Sequence, residues 1–424
     1  MKIIIIGGGF GGLKLARLLG RKEGIEVLLI DKRNYHQFQP LFYQVATAGL
    51  DASNISFPLR KIFQNSPNLQ FRLAEVKRID APNQKVVTNI GDFNYDQLVI
   101  ATGAYTNFFN NQQVQQNAFS MKTTEEALLL RYKLIQNFED ALIAKDYDAA
   151  ALQKLMNIVV VGAGPTGVEV CGALAEMRNN VLPKDYPDLD FKKMHIYLIE
   201  GSTKTLGTMS EKSTIQSRAY LEKLAVNIIT ETMVKSYDGD LVTLSTGKTI
   251  STKIVIWAAG ITGNVPEGVD HSLLVRGNRI KVDRTNKLAG FDNIYAIGDV
   301  CYMETPLYPN GHPQVANVAI NQAKNLARNL LRQLNGNKHY QDKFEYNDKG
   351  SMATVGRNLA VVDIPHPKIH FGGFVAWLVW MGLHLLLILG VKNRLQIFIN
   401  WVYKYFTYDQ SLRLLFRDFY KQEK

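Results

Sequence analysis

Cysteine is scarce in this chain of 424 residues, with only Cys171 and Cys301 present. That argues against a disulfide framework or a thiolate-rich metal centre and suits a reducing compartment. No secretory leader is expected either. The apolar run Ile3-Ile4-Ile5-Ile6 is short and leads into glycines instead of a cleavage site, so the body of the chain is expected in the cytoplasm. No interleaving of basic and aromatic residues resembles a nucleic-acid module. Yet 49 Lys plus Arg against 38 Asp plus Glu leave a net charge of +11, which favours an acidic partner such as anionic lipid or nucleic acid, and charge alone does not choose between them. A chain of this length is expected to form two or three domains.

What is present begins with glycine. The isoleucine run reads as a buried parallel strand, and Gly7, Gly9 and Gly12 follow it with G-x-G-x-x-G spacing before a helical pattern. In that context the first glycine makes a tight turn, the second lets backbone approach a pyrophosphate, and the third lets helix pack on strand. A second strand, Glu26-Val27-Leu28-Leu29-Ile30, ends in Asp31, where a carboxylate catches a ribose hydroxyl. The stretch 34–49 is rich in aromatics and amides without a regular period. It reads as a ligand lining or, alternatively, a packed aromatic loop. Strands are expected over 71–76, 86–89 and 97–100. Val76 closes the first, as an adenine contact or as core, and the last runs into the small-residue turn Ala101-Thr102-Gly103.

The pattern turns helical from Thr123, and then the opening device returns. Gly162, Gly164 and Gly167 each lie 155 residues after Gly7, Gly9 and Gly12, which reads as an internal duplication. The strand 195–199 of this second copy ends in Glu200. Its interval from Gly167 is 33 residues instead of the 19 between Gly12 and Asp31. The excess, 182–190, reads as an inserted loop. A carboxylate at Glu200 favours NADH over NADPH, although Lys204 softens that preference. Ala258-Ala259-Gly260 echoes Ala101-Thr102-Gly103, and a strand over 293–297 ends in Gly298-Asp299, a further acidic contact. Two fingerprints with two closing motifs imply two dinucleotides, usually a flavin and a nicotinamide. The fold class is therefore α/β, with two Rossmann-like dinucleotide-binding domains and a C-terminal membrane-associating helical segment. The boundaries are expected at 1–112 with 283–345 for FAD, 113–282 for NADH, and 346–424 for membrane anchoring.

The motifs Gly7-Gly8-Gly9-Phe10-Gly11-Gly12, Phe38-Gln39-Pro40-Leu41-Phe42-Tyr43-Gln44-Val45-Ala46-Thr47, the second loop from Val161 to Glu169, and Ile297-Gly298-Asp299 together resemble the type II, non-proton-pumping NADH:quinone oxidoreductases over essentially the whole chain. The resemblance implies non-covalent FAD on Gly7, Gly9, Phe10, Gly11, Gly12, Asp31, Lys32, Gln44, Val76, Ala101, Thr102, Gly103, Gly298 and Asp299. It implies NADH as substrate on Gly162, Gly164, Pro165, Thr166, Gly167, Glu200, Ala259 and Gly260. Glu169 matches a family glutamate assigned to substrate positioning or proton transfer; its plain alternative is an exposed helical acid. A helix starting near Gln314 is the candidate for stabilising negative charge at the flavin. The family's quinone signature departs here, with Ala316, Asn317, Asn321 and Gln322 carrying two amides one methylene shorter. Those asparagines reach less far toward a quinone carbonyl.

The run 371–391 carries no formal charge and has the length of a transmembrane helix. Four glycines, His384 and the amphipathic stretch after it favour a helix lying in the interface. From Asn393 to Phe406, the apolar Leu395, Phe398, Ile399, Val402 and Phe406 share one face. Arg413, Arg417 and Lys421 form a basic stripe suited to anionic lipid; a core helix or dimer interface is the alternative. The resemblance implies monotopic attachment on the cytoplasmic side of the cell inner membrane, and a homodimer. Two rival functions remain: a nucleotide-binding redox sensor without quinone turnover, motivated by Asn317 and Asn321, and a sulfide:quinone oxidoreductase-like enzyme.

Overall fold

The computed structural model describes residues 1–336, 341–410 and 412–415. The chain packs as two units. Met1–Gln37, Ser56–Tyr105 and Ile261–Asn347 form the first, while Phe38–Ile55, Thr106–Gly260 and the described residues from Asp348 onward form the second. These units divide the chain along different lines from the expected nucleotide domains, and each is taken by itself below.

The first unit is built on a five-stranded sheet in the spatial order Ile294–Ala296, Gln97–Ile100, Lys2–Ile6, Glu26–Asp31, Leu69–Leu73. Every neighbouring pair is parallel. Ile3, Ile4 and Ile5 have no exposed surface, because a central parallel strand is covered on both faces and carries no polar alternation. The helix Phe10–Leu19 follows the glycine loop and packs against the helix Ala316–Leu334. A three-stranded meander, Val76–Asp80, Lys85–Thr88 and Gly91–Asn94, completes this half. The strand expected over 71–76 ends at Leu73, and Val76 opens the next one. The chain turns between them where the Ala74 N–H donates to the Asp31 carbonyl at 3.0 Å.

The second unit repeats this plan. Its parallel sheet runs Val226–Ile229, Ile196–Ile199, Ile158–Val161, Ile254–Trp257, which is the first sheet's order without the edge strand Ile294–Ala296. A meander again follows, over Val234–Tyr237, Leu241–Leu244 and Thr249–Ser251. The helix Thr124–Ala144 opens with a capping box between Thr123 and Glu126, which satisfies two otherwise orphaned backbone donors. The excess loop contains the one-turn helix Leu182–Asp185. Tyr186 anchors it by donating to Glu139 at 2.8 Å.

A three-stranded antiparallel sheet, Ser351–Gly356, Leu359–Ile364 and Ile369–Gly372, caps this unit. Its first strand lies on the loop helix Pro165–Asn180 at Gly172, where a Cβ would stand 1.7 Å from the Val355 carbonyl oxygen. Only glycine admits that approach. Two helices follow, Gly373–Leu387 and Val391–Thr407. At 15 residues the first is roughly 22 Å long, short of the ~30 Å hydrocarbon layer. No described helix is long and apolar enough to cross a membrane. Arg417 and Lys421 of the expected basic stripe lie outside the described residues.

Candidate functional site: two nucleotide cradles and an aromatic cleft

Each parallel sheet ends in a glycine loop, and the two loops are held alike. Gly7 sits at φ +106° and Gly162 at φ +99°, a region that L side chains avoid. The Gly7 N–H donates to the Ile30 carbonyl at 2.8 Å, and the Gly162 N–H to the Ile199 carbonyl at 2.8 Å. A Cβ on Gly12 would lie 1.9 Å from the Gly7 oxygen, and one on Gly167 1.8 Å from the Gly162 oxygen, so both helices start directly against their strands. At Gly9 and Gly164 the space is open for 4 Å. The free backbone of a nascent helix faces that space, a concavity that fits a pyrophosphate.

The acid at the second strand end is pinned in both copies. Asp31 accepts from the Gly8 N–H at 2.6 Å and the Arg33 N–H at 2.7 Å. Glu200 accepts from the Ala163 N–H at 2.7 Å and the Ser202 N–H at 2.8 Å. Burial pushes the Asp31 carboxyl up, opposed by the Gly8 and Arg33 amides. The acids therefore brace the loops as well as marking where a ribose would lie. Lys32 and Lys204 are exposed beside them.

Around the first loop the structure adds His36 and Asn264, which the sequence did not single out. His36 is buried, and its Nδ1 donates to the Gly8 carbonyl at 2.9 Å. Burial lowers its pKa to about 4, leaving the ring neutral. Thr102 donates to the Asn264 carbonyl at 2.5 Å, and the Asn264 N–H returns a bond to the Gly103 carbonyl at 3.0 Å. No local pattern marks Asn264, because its partner lies 162 positions away. Near the second loop, the Trp257 indole donates to the Asn107 carbonyl at 2.9 Å and the Asn107 N–H to the Gly260 carbonyl at 3.2 Å. These bonds shape the turn that carries Ala259 and Gly260.

The helix expected to start near Gln314 begins at Ala316, and Gln314 instead donates to the Asp299 carbonyl at 2.8 Å. Gln322 is 1% exposed, and its Oε1 accepts from the Gly298 N–H at 2.8 Å. It braces the Gly298–Asp299 turn, and its Nε2 lies 3.3 Å from the Cys301 sulfur. Asn321 spends a donor on the Asn317 carbonyl one turn back, at 2.9 Å, while Asn317 is exposed and Ala316 half-buried.

The second unit also holds a solvent-open cleft of about 630 Å³. Tyr43, Gln44, Glu169, Trp377, Trp380 and Trp401 line it. Tyr43 and Gln44 come from the buried one-turn helix Phe42–Ala46, so this aromatic stretch is both packed and a lining. Glu169 keeps partial surface in the cleft, yet its carboxyl is crowded by protein. Burial raises its pKa to about 8, against the opposing pull of the Thr354 backbone and the Trp380 side chain. The Trp380 indole N–H stops short of a full hydrogen bond. Glu169 thus carries its proton at neutral pH, a carboxylic acid able to donate. His384 is stacked on Trp380 at 4.1 Å, donates to the Trp380 carbonyl at 2.8 Å, and is held neutral by burial with a pKa lowered to about 4.

The paired cradles define a class first: proteins that handle two dinucleotides on a duplicated α/β framework. Residues 1–323 match the family model described as pyridine nucleotide-disulphide oxidoreductase, and 349–408 match the NDH2 C-terminal domain. A type II NADH:quinone oxidoreductase of Mycobacterium tuberculosis is 34% identical over 94% of this chain and 87% of its own length. The mitochondrial external NADH-ubiquinone oxidoreductase 2 of Saccharomyces cerevisiae is 29% identical over 96% of this chain and 81% of its own. In structure, the chain is similar to NDH2 from Plasmodium falciparum in complex with NADH, at a TM-score of 0.86 and 23% identity, over 95% of this chain and 98% of that one. The chain belongs to the pyridine nucleotide-disulphide oxidoreductases and, among them, to the type II NADH:quinone oxidoreductases.

Proposed function

We propose that this chain is a membrane-surface enzyme that oxidises NADH by hydride transfer to FAD and reduces a quinone without pumping protons. The observation that carries the membrane part is the inverted polarity of the last two helices. Gly373–Leu387 buries Ala376, Trp380 and His384 while Phe374, Val375, Leu378, Val379 and Leu386 are 42–69% exposed. Val391–Thr407 buries Ile397 and Trp401 while Leu395, Phe398, Ile399, Val402 and Phe406 are 38–77% exposed. An exposed apolar face of that extent supports a lipid-contact reading, and the net charge of +11 suits an anionic surface.

FAD is the nucleotide of the first cradle, on Gly7 to Gly12, Asp31, Ala101 to Gly103, Gly298 and Asp299. NADH is that of the second, on Gly162 to Gly167, Glu200, Ala259 and Gly260. Bound FAD supplies the hydride acceptor and the two-electron donor. The free N–H groups at the start of Ala316–Leu334 favour negative charge beside Gly298 and Asp299. Glu200 accepts from ribose hydroxyls and repels a 2′-phosphate. The aromatic cleft receives the quinone ring, because two lipid-facing helices supply Trp377, Trp380 and Trp401 to its wall. There the neutral Glu169 carboxyl holds a proton at the reduction site. The assembly is a homodimer on the cytoplasmic face.

Cys171 and Cys301 are buried, with burial raising both thiols, Cys301 to about 12. Protonated, sequestered thiols do not serve a sulfide-oxidising route, and Cys301→Ala is expected to leave NADH oxidation intact. The test of the proposal is anaerobic. One equivalent of NADH is expected to bleach the flavin absorbance, and a soluble quinone to restore it over repeated cycles. Bleaching without reoxidation would favour the redox sensor, and no bleaching would overturn the NADH assignment.

A further inference from the structure

The inner face of Val391–Thr407 is as specific as its outer face is greasy. Asn393 donates from Nδ2 to the Ser53 and Asn54 carbonyls at 3.2 and 3.0 Å. Two turns on, the Trp401 indole N–H donates to Gln44 Oε1 at 2.8 Å. Lys404 approaches Glu176 at 3.4 Å. The helix that presents its apolar side outward therefore grips the segment 44–54 with its other side.

The Trp401 bond has a directional consequence. Gln44 has one amide acceptor and one amide donor group. With Oε1 taken by Trp401, Nε2 is turned to Tyr43 and donates to its hydroxyl oxygen at 3.0 Å. A tyrosine oxygen that is accepting keeps its own hydrogen for another partner, and that hydrogen finds no acceptor among the described residues. Tyr43, Gln44 and Trp401 are 7%, 8% and 7% exposed, so water does not scramble the chain of donors, and all three line the cleft.

We propose that Trp401 is a positioning residue: by fixing the Gln44 amide it aims the Tyr43 hydroxyl hydrogen into the cleft, where Tyr43 donates a hydrogen bond to a quinone carbonyl oxygen. This rests on the reading of the cleft as the quinone site. It also ties substrate recognition to the seating of the lipid-facing helix, since Trp401 and the apolar outer residues share one rigid element. Removing the indole N–H frees the Gln44 amide to rotate, and the Tyr43 hydroxyl then satisfies itself on Gln44 Oε1 instead of on the substrate.

The experiment compares wild-type holoenzyme with Trp401→Phe, Tyr43→Phe and the double variant, on vesicles of phosphatidylcholine and phosphatidylglycerol. A short-chain benzoquinone is titrated anaerobically into the oxidised protein, and its dissociation constant is read from the flavin difference spectrum, without turnover. Each single variant is expected to weaken binding about tenfold, the loss of one neutral hydrogen bond. The double variant is expected to be no weaker than Tyr43→Phe alone, because Trp401 acts through Tyr43. Wild-type affinity in Trp401→Phe, or losses that multiply in the double variant, would overturn the proposal. Should Trp401→Phe not retain flavin, Trp401→Leu carries the same test, with the same loss and the same non-additivity with Tyr43→Phe. Failure of wild-type protein to bind the quinone at all would instead contradict the quinone reading.

Discussion

The two glycine-loop helices are copies whose equivalent positions do opposite things. Lys14 and Glu169 lie 155 residues apart, as do Arg17 and Gly172. In the first unit the helix Phe10–Leu19 packs against another helix, Ala316–Leu334. There Lys14 is half-buried near Lys324, and Arg17 is exposed. In the second unit a strand covers the helix Pro165–Asn180 instead. A strand backbone sits closer than a helix with its side chains, so the position of Arg17 becomes Gly172 and that of Lys14 becomes an acid facing a cleft. The cradle is fixed by backbone hydrogen bonds that both copies share. The chemistry is set by whatever is laid over the following helix.

Breaking that covering contact should have the largest effect. Gly172→Val places a side chain where even a Cβ would meet the Val355 oxygen at 1.7 Å, and it should cost about 3 kcal/mol or more by overpacking. Arg17→Ala, at the equivalent exposed position, should change stability by less than about 0.5 kcal/mol. Thermal melting of the two variants makes the comparison, and equal losses would contradict it.

The two loops themselves can be separated next. In Gly7→Ala a Cβ would lie 2.3 Å from the Ala101 oxygen, and in Gly162→Ala 2.8 Å from the Ala259 nitrogen, both at positive φ. The first substitution should yield protein with roughly tenfold less bound flavin. The second should keep its flavin and raise the NADH KM by about tenfold, since one to two kcal/mol of strain is an order of magnitude in binding. Flavin-to-protein absorbance ratios and NADH saturation curves measure each effect.

Glu169 offers a pH signature that Lys14 has no means to copy. Its pKa rises from the ordinary 4.5 to about 8 on folding. Between those values the folded state binds the extra proton, so Glu169 lowers stability progressively as pH climbs from about 4.5 to about 8, with no further change above. Glu169→Gln should remove that slope and gain on the order of 5 kcal/mol relative to wild type at pH 9 compared with pH 4. The quinone half-reaction of wild type should also fall through a pKa near 8 that the variant lacks. The smallest effect is expected at Glu200: Glu200→Gln should narrow the preference for NADH over NADPH by several-fold in kcat/KM, through loss of charge beside the 2′-hydroxyl.

Much of the framework was legible because its signals are local. Glycine spacing, the strand before it and the acid after the next strand all lie within about 30 residues, and the 155-residue offset exposed the duplication. Strand edges were less legible, as Val76 shows, since a two-residue turn between strands leaves little compositional trace. The supports of the site were not legible at all. Asn264 closes a turn 162 positions away, Thr354 faces Glu169 from the antiparallel sheet laid on its helix, and Trp401 reaches Gln44 across 357 positions. Gln322 carries a second role that its motif does not announce, since it also braces a backbone turn. The C-terminal helices lay between these cases. Their apolar faces could be read from periodicity, whereas the polar inner face that grips 44–54 depended on tertiary pairing.

The most direct test of the account confines the acceptor to lipid. Vesicles of phosphatidylcholine and phosphatidylglycerol carry a long-chain quinone in the bilayer and a pH-sensitive dye in the lumen, with protein and NADH added outside. Steady NADH oxidation is expected that saturates with quinone content of the bilayer and needs the anionic lipid, with no change in lumenal pH. Oxidation only with a water-soluble quinone, equal rates without anionic lipid, or a lumenal pH change that tracks turnover would contradict it.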